Sequence, residues 1–134
     1  MAENLDIRDP LKSARLLLNG QFKFRRLSEA KDLSEYLAAA CPNPTLSAIG
    51  LCEIFLNAIE HGNLAIGFDE KTKLQSENNW LEEIDKRLSL PENIHKFVFV
   101  EFNCNEIEIS IKVTDQGNGA TFYSCLVQVE KCGD

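Results

Sequence analysis

Residues 51–63 read Leu51-Cys52-Glu53-Ile54-Phe55-Leu56-Asn57-Ala58-Ile59-Glu60-His61-Gly62-Asn63. At about 100° per residue, Glu53, Asn57 and His61 share one face of a predicted helix, while apolar side chains cover the opposite face. A helix this apolar belongs in a core, where an unpaired carboxylate costs several kcal/mol or takes up a proton. The polar residues therefore either hydrogen-bond internally or face an open site.

Both ends of this helix carry residues that start or stop helices. Proline lacks an amide hydrogen, so Cys41-Pro42-Asn43-Pro44 ends any preceding helix, while Pro44-Thr45 fits the first turn of a new one. Gly62 and Asn63 tolerate a positive φ, which is typical of a helix end. The pattern predicts one helix over about 45–62.

Hydrophobic periodicity predicts two further helices and several strands. The helices span 28–40, with Ser28 as N-cap, and 69–88, with an apolar stripe of Leu74, Leu81, Ile84 and Leu88. The strands span 21–25, 96–102 and 106–113, with a hairpin turn at 103–105 and a short strand at 126–130. Helices first and strands later predict an α+β fold, a two-layer α/β sandwich with helices on one face of a mixed, mostly antiparallel sheet.

Length and composition predict a single globular domain over residues 1–134. A hydrophobic content of 44% and eight phenylalanines argue against intrinsic disorder. The net charge of −7 argues against a broad phosphate-backbone footprint, so we expect no direct nucleic-acid binding. A basic protein partner would suit this charge.

The compartment is predicted from the N-terminus and the cysteines. The chain begins without a basic and then apolar leader, and no apolar run approaches the roughly 18 residues of a membrane span. The five cysteines include no CxxC pair, which favours free thiols over a zinc site. We therefore expect a cytoplasmic protein with no membrane segment, in which Cys41, Cys52 and Cys104 are small core residues.

A second motif follows the strand predicted at 106–113. It reads Thr114-Asp115-Gln116-Gly117-Asn118-Gly119-Ala120. Its two glycines allow close approach of a ligand to the backbone, and the Asp115 carboxylate can accept a hydrogen bond from an exocyclic amine. Asp-x-Gly-x-Gly also occurs as an ordinary turn, and Glu, Asn and His at i, i+4 and i+8 also occur on solvated helix faces.

Together and in this order, Glu53-x-x-x-Asn57-Ala58-x-x-His61 on a helix and Asp115-x-Gly117-x-Gly119 after a strand resemble the GHKL ATPase superfamily, which includes DNA gyrase and the histidine kinases. The segment from Phe55 to Leu64, with Cys41-Pro42, the Trp80 helix and Leu90-Pro91-Glu92-Asn93, is similar to the bacterial anti-sigma-factor serine kinases. The resemblance covers about residues 21–120. It implies a histidine-kinase-like ATPase domain with a Bergerat-type ATP-binding fold.

The resemblance assigns roles on the predicted helix. Glu53 would be the general base, accepting a proton from the attacking hydroxyl of a substrate serine or from water. Asn57 would be a ligand of Mg²⁺, the ion that neutralises charge on the phosphates. His61 would have a supporting role near the phosphates.

The resemblance also assigns roles in the loop and implies partners. Asp115 would recognise the adenine amino group, and Gly117 and Gly119 would leave room for the base and ribose. The implied cofactors are ATP and Mg, and the implied reaction moves the γ-phosphate to a serine of an antagonist protein. The implied partners are a sigma factor and that anti-anti-sigma antagonist, and the resemblance further implies a homodimer.

The resemblance to the family ends after Asp115-x-Gly117-x-Gly119, which corresponds to the first glycine-rich box of the family. Family members continue into a lid and a second glycine-rich box, whereas residues 120–134 contain only Gly133 and no Gly-x-Gly. A naturally shortened member, a truncated or frameshifted product, and a form that borrows a lid from another subunit all fit. The alternatives for function are a catalytically silent interaction module of the same fold that needs no nucleotide, a detached sensor-kinase domain, and an α+β domain whose polar residues are incidental.

Overall fold

A computed structural model describes residues 14–117 and 120–126 of the chain. A short 3₁₀ turn at Ala14–Leu16 precedes the first strand. The regular elements follow in this order: β1 (Asn19–Phe24), α1 (Leu27–Ala38), α2 (Pro44–Asn57), a π-helical turn (Ala58–Asn63), α3 (Phe68–Ser76), α4 (Trp80–Leu88), β2 (Val98–Cys104), β3 (Glu108–Thr114) and β4 (Ala120–Leu126).

The four described strands form one sheet in the order β1-β2-β3-β4, and every neighbouring pair is antiparallel. Phe24 lies opposite Val98, Val100 opposite Val113, and Thr114 opposite Ala120. The expected α+β class is confirmed. The described part of the sheet contains antiparallel pairs alone, although a mixed sheet was expected.

One face of the sheet forms half of the core. Side chains alternate across a strand, and Ile109, Ile111 and Val113 of β3 are buried while the residues between them are partly exposed. The buried side chains pack with apolar residues of the helices, including Leu51, Phe55, Ile59, Ile84 and Leu88. The helices therefore cover one face of the sheet, as the two-layer prediction required.

Helix α2 crosses this core and begins as its sequence predicts. The Asn43 side chain accepts a hydrogen bond from the Leu46 amide at 3.3 Å, and Pro44 occupies the first turn. Leu51 and Phe55 are fully buried on the core side of α2. Helix α1 packs against α2, and the buried side chains of α2 pack with those of the sheet.

Two predictions about helices were wrong. Helix α1 begins at Leu27, so Ser28 lies inside it, and the Glu29 carboxylate accepts hydrogen bonds from the amides of Arg25 and Arg26 instead. The helix expected over 69–88 is two helices, because Asn78 adopts a φ of 63° between α3 and α4. The interruption shifts the helical phase, which leaves Leu81 66% exposed rather than in the apolar stripe.

The strand boundaries also differ from the prediction. The β2–β3 turn lies at 105–107, because the Asn105 side chain accepts hydrogen bonds from the amides of Ile107 and Glu108. Ile107 is therefore exposed in the turn, although it was expected on the buried face. Residues 120–126 form β4, and most of the segment predicted as a strand at 126–130 lies outside the described residues.

Two further predictions concern the cysteines, expected as free thiols in the core, and the absence of a membrane-spanning segment. Cys41 is buried in the core and Cys104 packs against it, whereas Cys52 is half-buried at the surface of α2. The described cysteines, which are Cys41, Cys52, Cys104 and Cys125, are free thiols. Among the described helices, none has the length and apolar character that a membrane crossing requires.

Candidate functional site

The end of the central helix changes its hydrogen bonding at the polar motif. Asn57 is the last residue of α2, and Ala58–Asn63 continue as a π-helical turn in which the Leu64 amide donates to Ile59 at 2.9 Å. A π turn rotates about 80° per residue instead of 100°, so His61 lies off the line that joins Glu53 and Asn57. Such turns are frequent at functional sites.

The π turn packs directly against the loop between β3 and β4. A Cβ atom on Gly62 would lie 2.3 Å from Cγ of Asp115, and one on Gly117 would lie 2.2 Å from the carbonyl oxygen of Gly62. Neither position has room for a side chain. The expected positive φ at Gly62 was wrong, because no described glycine has one and the left-handed residue of this turn is Ala65 at 56°.

Hydrogen bonds hold the loop in this position. The Asn63 side chain accepts a hydrogen bond from the Gln116 amide at 2.7 Å, and Gln116 Oε1 accepts one from the Phe97 amide at 2.5 Å. Gly117 donates its amide hydrogen to Oδ1 of Asp115 at 2.8 Å. Asn63 was predicted only as a helix end, and its spacing of 53 residues from Gln116 left no sequence signal of this contact.

A pocket of about 270 Å³ lies where the helix and the loop meet. Its lining residues come from α2, from the π turn and from the β3–β4 hairpin: Ile54, Asn57, Ala58, His61, Gly62, Asp115, Ala120 and Thr121. The volume is near the lower end of the roughly 300–1,000 Å³ of small-molecule sites. The structure thus brings Asn57, His61 and Asp115 to one pocket.

Of the predicted site residues that the structure describes, Glu53 and Gly117 do not line the pocket. Glu53 is exposed on α2, one helical turn before Asn57, and does not line the pocket. Gly117 supports the pocket through its contact with Gly62. Gly119 lies outside the described residues.

His61 is oriented by the chain that follows it. Its Nδ1 contacts the carbonyl oxygen of Ile66, and its ring stacks on Phe68 with the ring centroids 4.0 Å apart. Because a carbonyl oxygen only accepts hydrogen bonds, Nδ1 is the donor in this contact. Nε2 is buried with no hydrogen-bond partner in the described part of the chain. His61 thus links the pocket to α3.

The sequence reasoning missed a buried acid beside the pocket. Glu60 is only 1% exposed, and its Oε1 lies 2.6 Å from Nζ of Lys71 on α3. The ammonium of Lys71 also lies over the ring of Trp80, 5.1 Å from its centroid. A regular helix would place Glu60 close to the direction of Glu53, so only the π turn explains why it points inward.

The donor set around the pocket is sparse for a metal. Asn57 offers one amide oxygen, and no group of three His, Cys, Asp or Glu residues within 14–117 and 120–126 is placed to hold an ion. Mg²⁺ commonly keeps several waters and binds through one or two protein oxygens together with substrate phosphates. A single amide ligand therefore fits a magnesium ion that arrives with a nucleotide.

The geometry also agrees with the interpretation of the second motif, Asp115-x-Gly117-x-Gly119, as an ordinary turn. The Asp115 segment connects two adjacent antiparallel strands, and the Asp115–Gly117 hydrogen bond is that of a local turn. A turn and a ligand-binding loop are compatible, since this one also lines the pocket.

No protein-family model matches the chain, and no curated protein and no solved structure matches it significantly.

Proposed function

We propose that the chain binds Mg-ATP in the pocket between the π turn and the β3–β4 loop, and that it is a regulator of the anti-sigma type with protein-serine kinase chemistry. The proposal is supported by one observation above all. Asn57 and His61, neighbours at the end of the helical segment, line the same pocket as Asp115, which lies far along the chain in the loop after β3. The resemblance drawn from the sequence requires that juxtaposition.

The direction of the nucleotide follows from the order of these residues. Asp115 lies against Gly62 at the carboxyl end of the helical segment, and its carboxylate oxygens are acceptors for the amino group of adenine. With the base at that end, Asn57 would be the lining residue on the phosphate side. Glu53 is a further four residues back, which is about 6 Å along the helix axis.

This direction gives Glu53 a role outside the base-binding part of the pocket. An exposed carboxylate beyond the phosphate end can accept the proton of a serine hydroxyl brought by another protein. Mg²⁺, when bound, would offset negative charge on the phosphates. Asn57 is the residue that would hold it.

The charge of the pocket predicts weak binding. Its lining contains no Lys or Arg among the described residues. Of the cations that contact the π turn, Lys71 is bound to Glu60 and Lys96 donates to the carbonyl oxygen of Asn63. Each missing charge-assisted contact to phosphate forgoes about 1.5–3 kcal/mol. We therefore expect a Kd of about 0.1–1 mM for Mg-ATP, equivalent to roughly −5.5 to −4 kcal/mol.

Isothermal titration calorimetry with Mg-ATP tests the proposal. We expect Asn57→Ala to weaken binding about tenfold or more, because the metal ligand is lost. Asn103→Ala is the matched control, since Asn103 is exposed on β2 and does not line the pocket. No binding of the unmodified chain at millimolar Mg-ATP would remove the nucleotide part of the proposal.

A second candidate is a protein-interaction module of the same fold that needs no nucleotide. The observation that favours it is the pocket itself, which has no Lys or Arg in its described lining. This candidate predicts that Asn57→Ala and Asp115→Ala leave the capture of a purified sigma factor unchanged. Loss of capture by folded variants would count against it.

A further inference from the structure

A second concave surface lies beside α1. It is a groove of about 430 Å³ between the strand β1 and the helix α1. From β1 it is lined by Phe22, Lys23 and Phe24, and from α1 by Glu29, Asp32, Leu33 and Tyr36. The helical positions are spaced by three and four residues, so they form one stripe along α1 that faces the strand.

The groove is apolar toward one end. Phe22 and Tyr36 contact edge to face, with ring centroids 6.3 Å apart, and both are only partly buried. Leu33 lies one helical turn before Tyr36 and is also partly buried. These three side chains already pack against the core, so they offer a preformed apolar surface.

The groove is acidic toward the other end. Glu29 and Asp32 line it, and Asp32 is exposed and forms no ion pair with another described residue. Lys23 does not offset this charge, because its ammonium lies over the ring of Phe97, 4.6 Å from the centroid. Its partner across the sheet is Phe99, which places both on the face of the sheet opposite the core. Glu29 accepts hydrogen bonds from the amides of Arg25 and Arg26 and is attracted to their positive charges, so the charge that remains to attract a cationic side chain is that of Asp32.

Strand β1 supplies a third feature, an edge of the sheet. It pairs with β2 on one side, and no described strand pairs with its other side. Alternate backbone amides and carbonyls along such an edge are directed away from the sheet and can pair with another extended chain. Proline, which would block this pairing, is absent from the six residues of β1.

We propose that the groove between β1 and α1 binds an extended peptide segment of a partner protein, which adds to β1 as a further strand. The backbone of the peptide pairs with β1, an apolar side chain lies against Phe22, Leu33 and Tyr36, and a lysine or arginine two residues away faces Asp32. The spacing of two follows from the alternation of side chains along a strand. This mode of recognition combines backbone pairing for affinity with side-chain pockets for specificity.

The proposal is independent of nucleotide binding, because the groove shares no lining residue with the pocket at Asn57 and Asp115. The two can therefore fail separately. The peptide measurements below are made without nucleotide and repeated on Asn57→Ala, and we expect the same affinities in both.

The test begins with selection from a displayed library of random peptides of about ten residues, long enough to span β1. We expect the selected peptides to carry an apolar residue and a lysine or arginine at a spacing of two. The best peptide is then synthesised in two forms, one of them methylated on alternate backbone nitrogens. We expect methylation to abolish binding, since it removes strand pairing while charge and side chains remain.

Variants of the groove locate the bound peptide. Asp32→Asn is expected to weaken binding about two- to fivefold, in line with an exposed ion pair. Glu35→Gln is the matched control, because Glu35 is exposed on the same helix and does not line the groove. Tyr36→Ala is expected to weaken binding tenfold or more, and circular dichroism checks that it is folded.

Each other outcome overturns the proposal. Failure to select peptides, equal binding of the methylated peptide, or equal loss in Asp32→Asn and Glu35→Gln would exclude an added strand at β1. If the groove is instead occupied by a second copy of the chain, sedimentation would show a concentration-dependent dimer that Tyr36→Ala disrupts. That result would exclude a peptide partner as the occupant.

Discussion

The backbone of Gly117 touches that of Gly62 so closely that a Cβ atom on Gly117 would lie 2.2 Å from the Gly62 carbonyl oxygen. A Cβ on Gly62 would in turn lie 2.3 Å from Cγ of Asp115. Two glycines 55 positions apart therefore set the distance between the helix and the hairpin loop. Because the pocket lies at this junction, its shape depends on contacts that admit no side chain.

Gly117→Ala should separate the loop from the π turn. The added methyl group meets a backbone atom, so relief requires movement of the chain, and we expect a loss of about 1–3 kcal/mol in the free energy of unfolding. Gly67→Ala is the control, because no atom lies within 4 Å of its added Cβ. Gly67 is the N-cap of α3, where alanine is less favourable than glycine, so we expect a loss below about 1 kcal/mol. Urea denaturation followed by Trp80 fluorescence measures both. Equal losses in the free energy of unfolding for Gly117→Ala and Gly67→Ala would refute the role of close packing between the loop and the π turn.

Lys71→Met should leave the buried Glu60 carboxylate without its partner. Breaking a buried pair costs about 3–5 kcal/mol, and we expect about 2–3 kcal/mol here because a quarter of the Lys71 side chain is exposed. The double variant Glu60→Gln with Lys71→Met should lose less than the two single losses together. Lys73→Met, exposed on the same helix, is the control in urea denaturation. Additive losses would mean that the two residues do not interact.

The acid stability of α1 should depend on Glu29. Hydrogen bonds from the Arg25 amide and then the Arg26 amide lower the pKa of Glu29 from its ordinary value of 4.5. A lowered folded-state pKa stabilises the protein above about pH 4.5, and this contribution is lost as the pH falls through the folded-state pKa. The carboxylate is exposed, so solvent screening limits the effect to about 0.5 kcal/mol.

Glu29→Gln tests this dependence. It should reduce stability at about pH 7 by roughly that 0.5 kcal/mol, and the difference from the unmodified chain should vanish as the pH falls below the folded-state pKa of Glu29. Glu35→Gln removes the same charge from an exposed position of α1 whose side chain accepts no hydrogen bond from a described backbone amide, and it should cost less at neutral pH. Denaturant midpoints measured across this pH range provide the comparison. A difference that persists at low pH would contradict the assignment.

Cys125 should resist alkylation in the folded chain. Burial and the neighbouring Cys41 raise the pKa of Cys125 from 9.0 to about 12. At about pH 8 the thiolate fraction is then roughly 10⁻⁴, against roughly 10⁻¹ for an unfolded thiol, so alkylation should be about 10³-fold slower. Iodoacetamide labelling with mass spectrometry of the Cys125 peptide, with and without denaturant, measures the ratio. Similar rates in both conditions would show that the thiol is accessible and unshifted.

Local patterns predicted the layers of the fold but not the points where the regular pattern breaks. Period-two alternation identifies β3, because the alternating buried residues Ile109, Ile111 and Val113 all lie within one short segment of sequence. The division of the helix over 69–88 depends on a left-handed Asn78, a conformation that asparagine tolerates but does not require. Once the helix restarts, the position of Leu81 in the apolar stripe is lost.

The candidate site was predictable where one element carries the residues and unpredictable where two elements meet. Asn57 and Asp115 were found from their motifs, and the pocket brings them together. The contact between Asn63 and Gln116 and the pair of Glu60 with Lys71 depend on the π turn, which shifts the helical phase without a distinctive residue. Gly62 was read as a residue for positive φ, although its small size is what the structure uses.

The base specificity of the pocket should depend on Asp115. Its carboxylate can only accept hydrogen bonds, so it should favour ATP, which has an exocyclic amine, over inosine triphosphate, which has a carbonyl oxygen there. We expect about a tenfold preference or more, equivalent to about 1.4 kcal/mol. Asp115→Asn keeps an oxygen for the Gly117 amide but replaces the other oxygen with a donor, so the preference should fall or reverse. Calorimetric titration of both nucleotides measures the two ratios, and equal ratios in the two proteins would exclude Asp115 as the residue that reads the base.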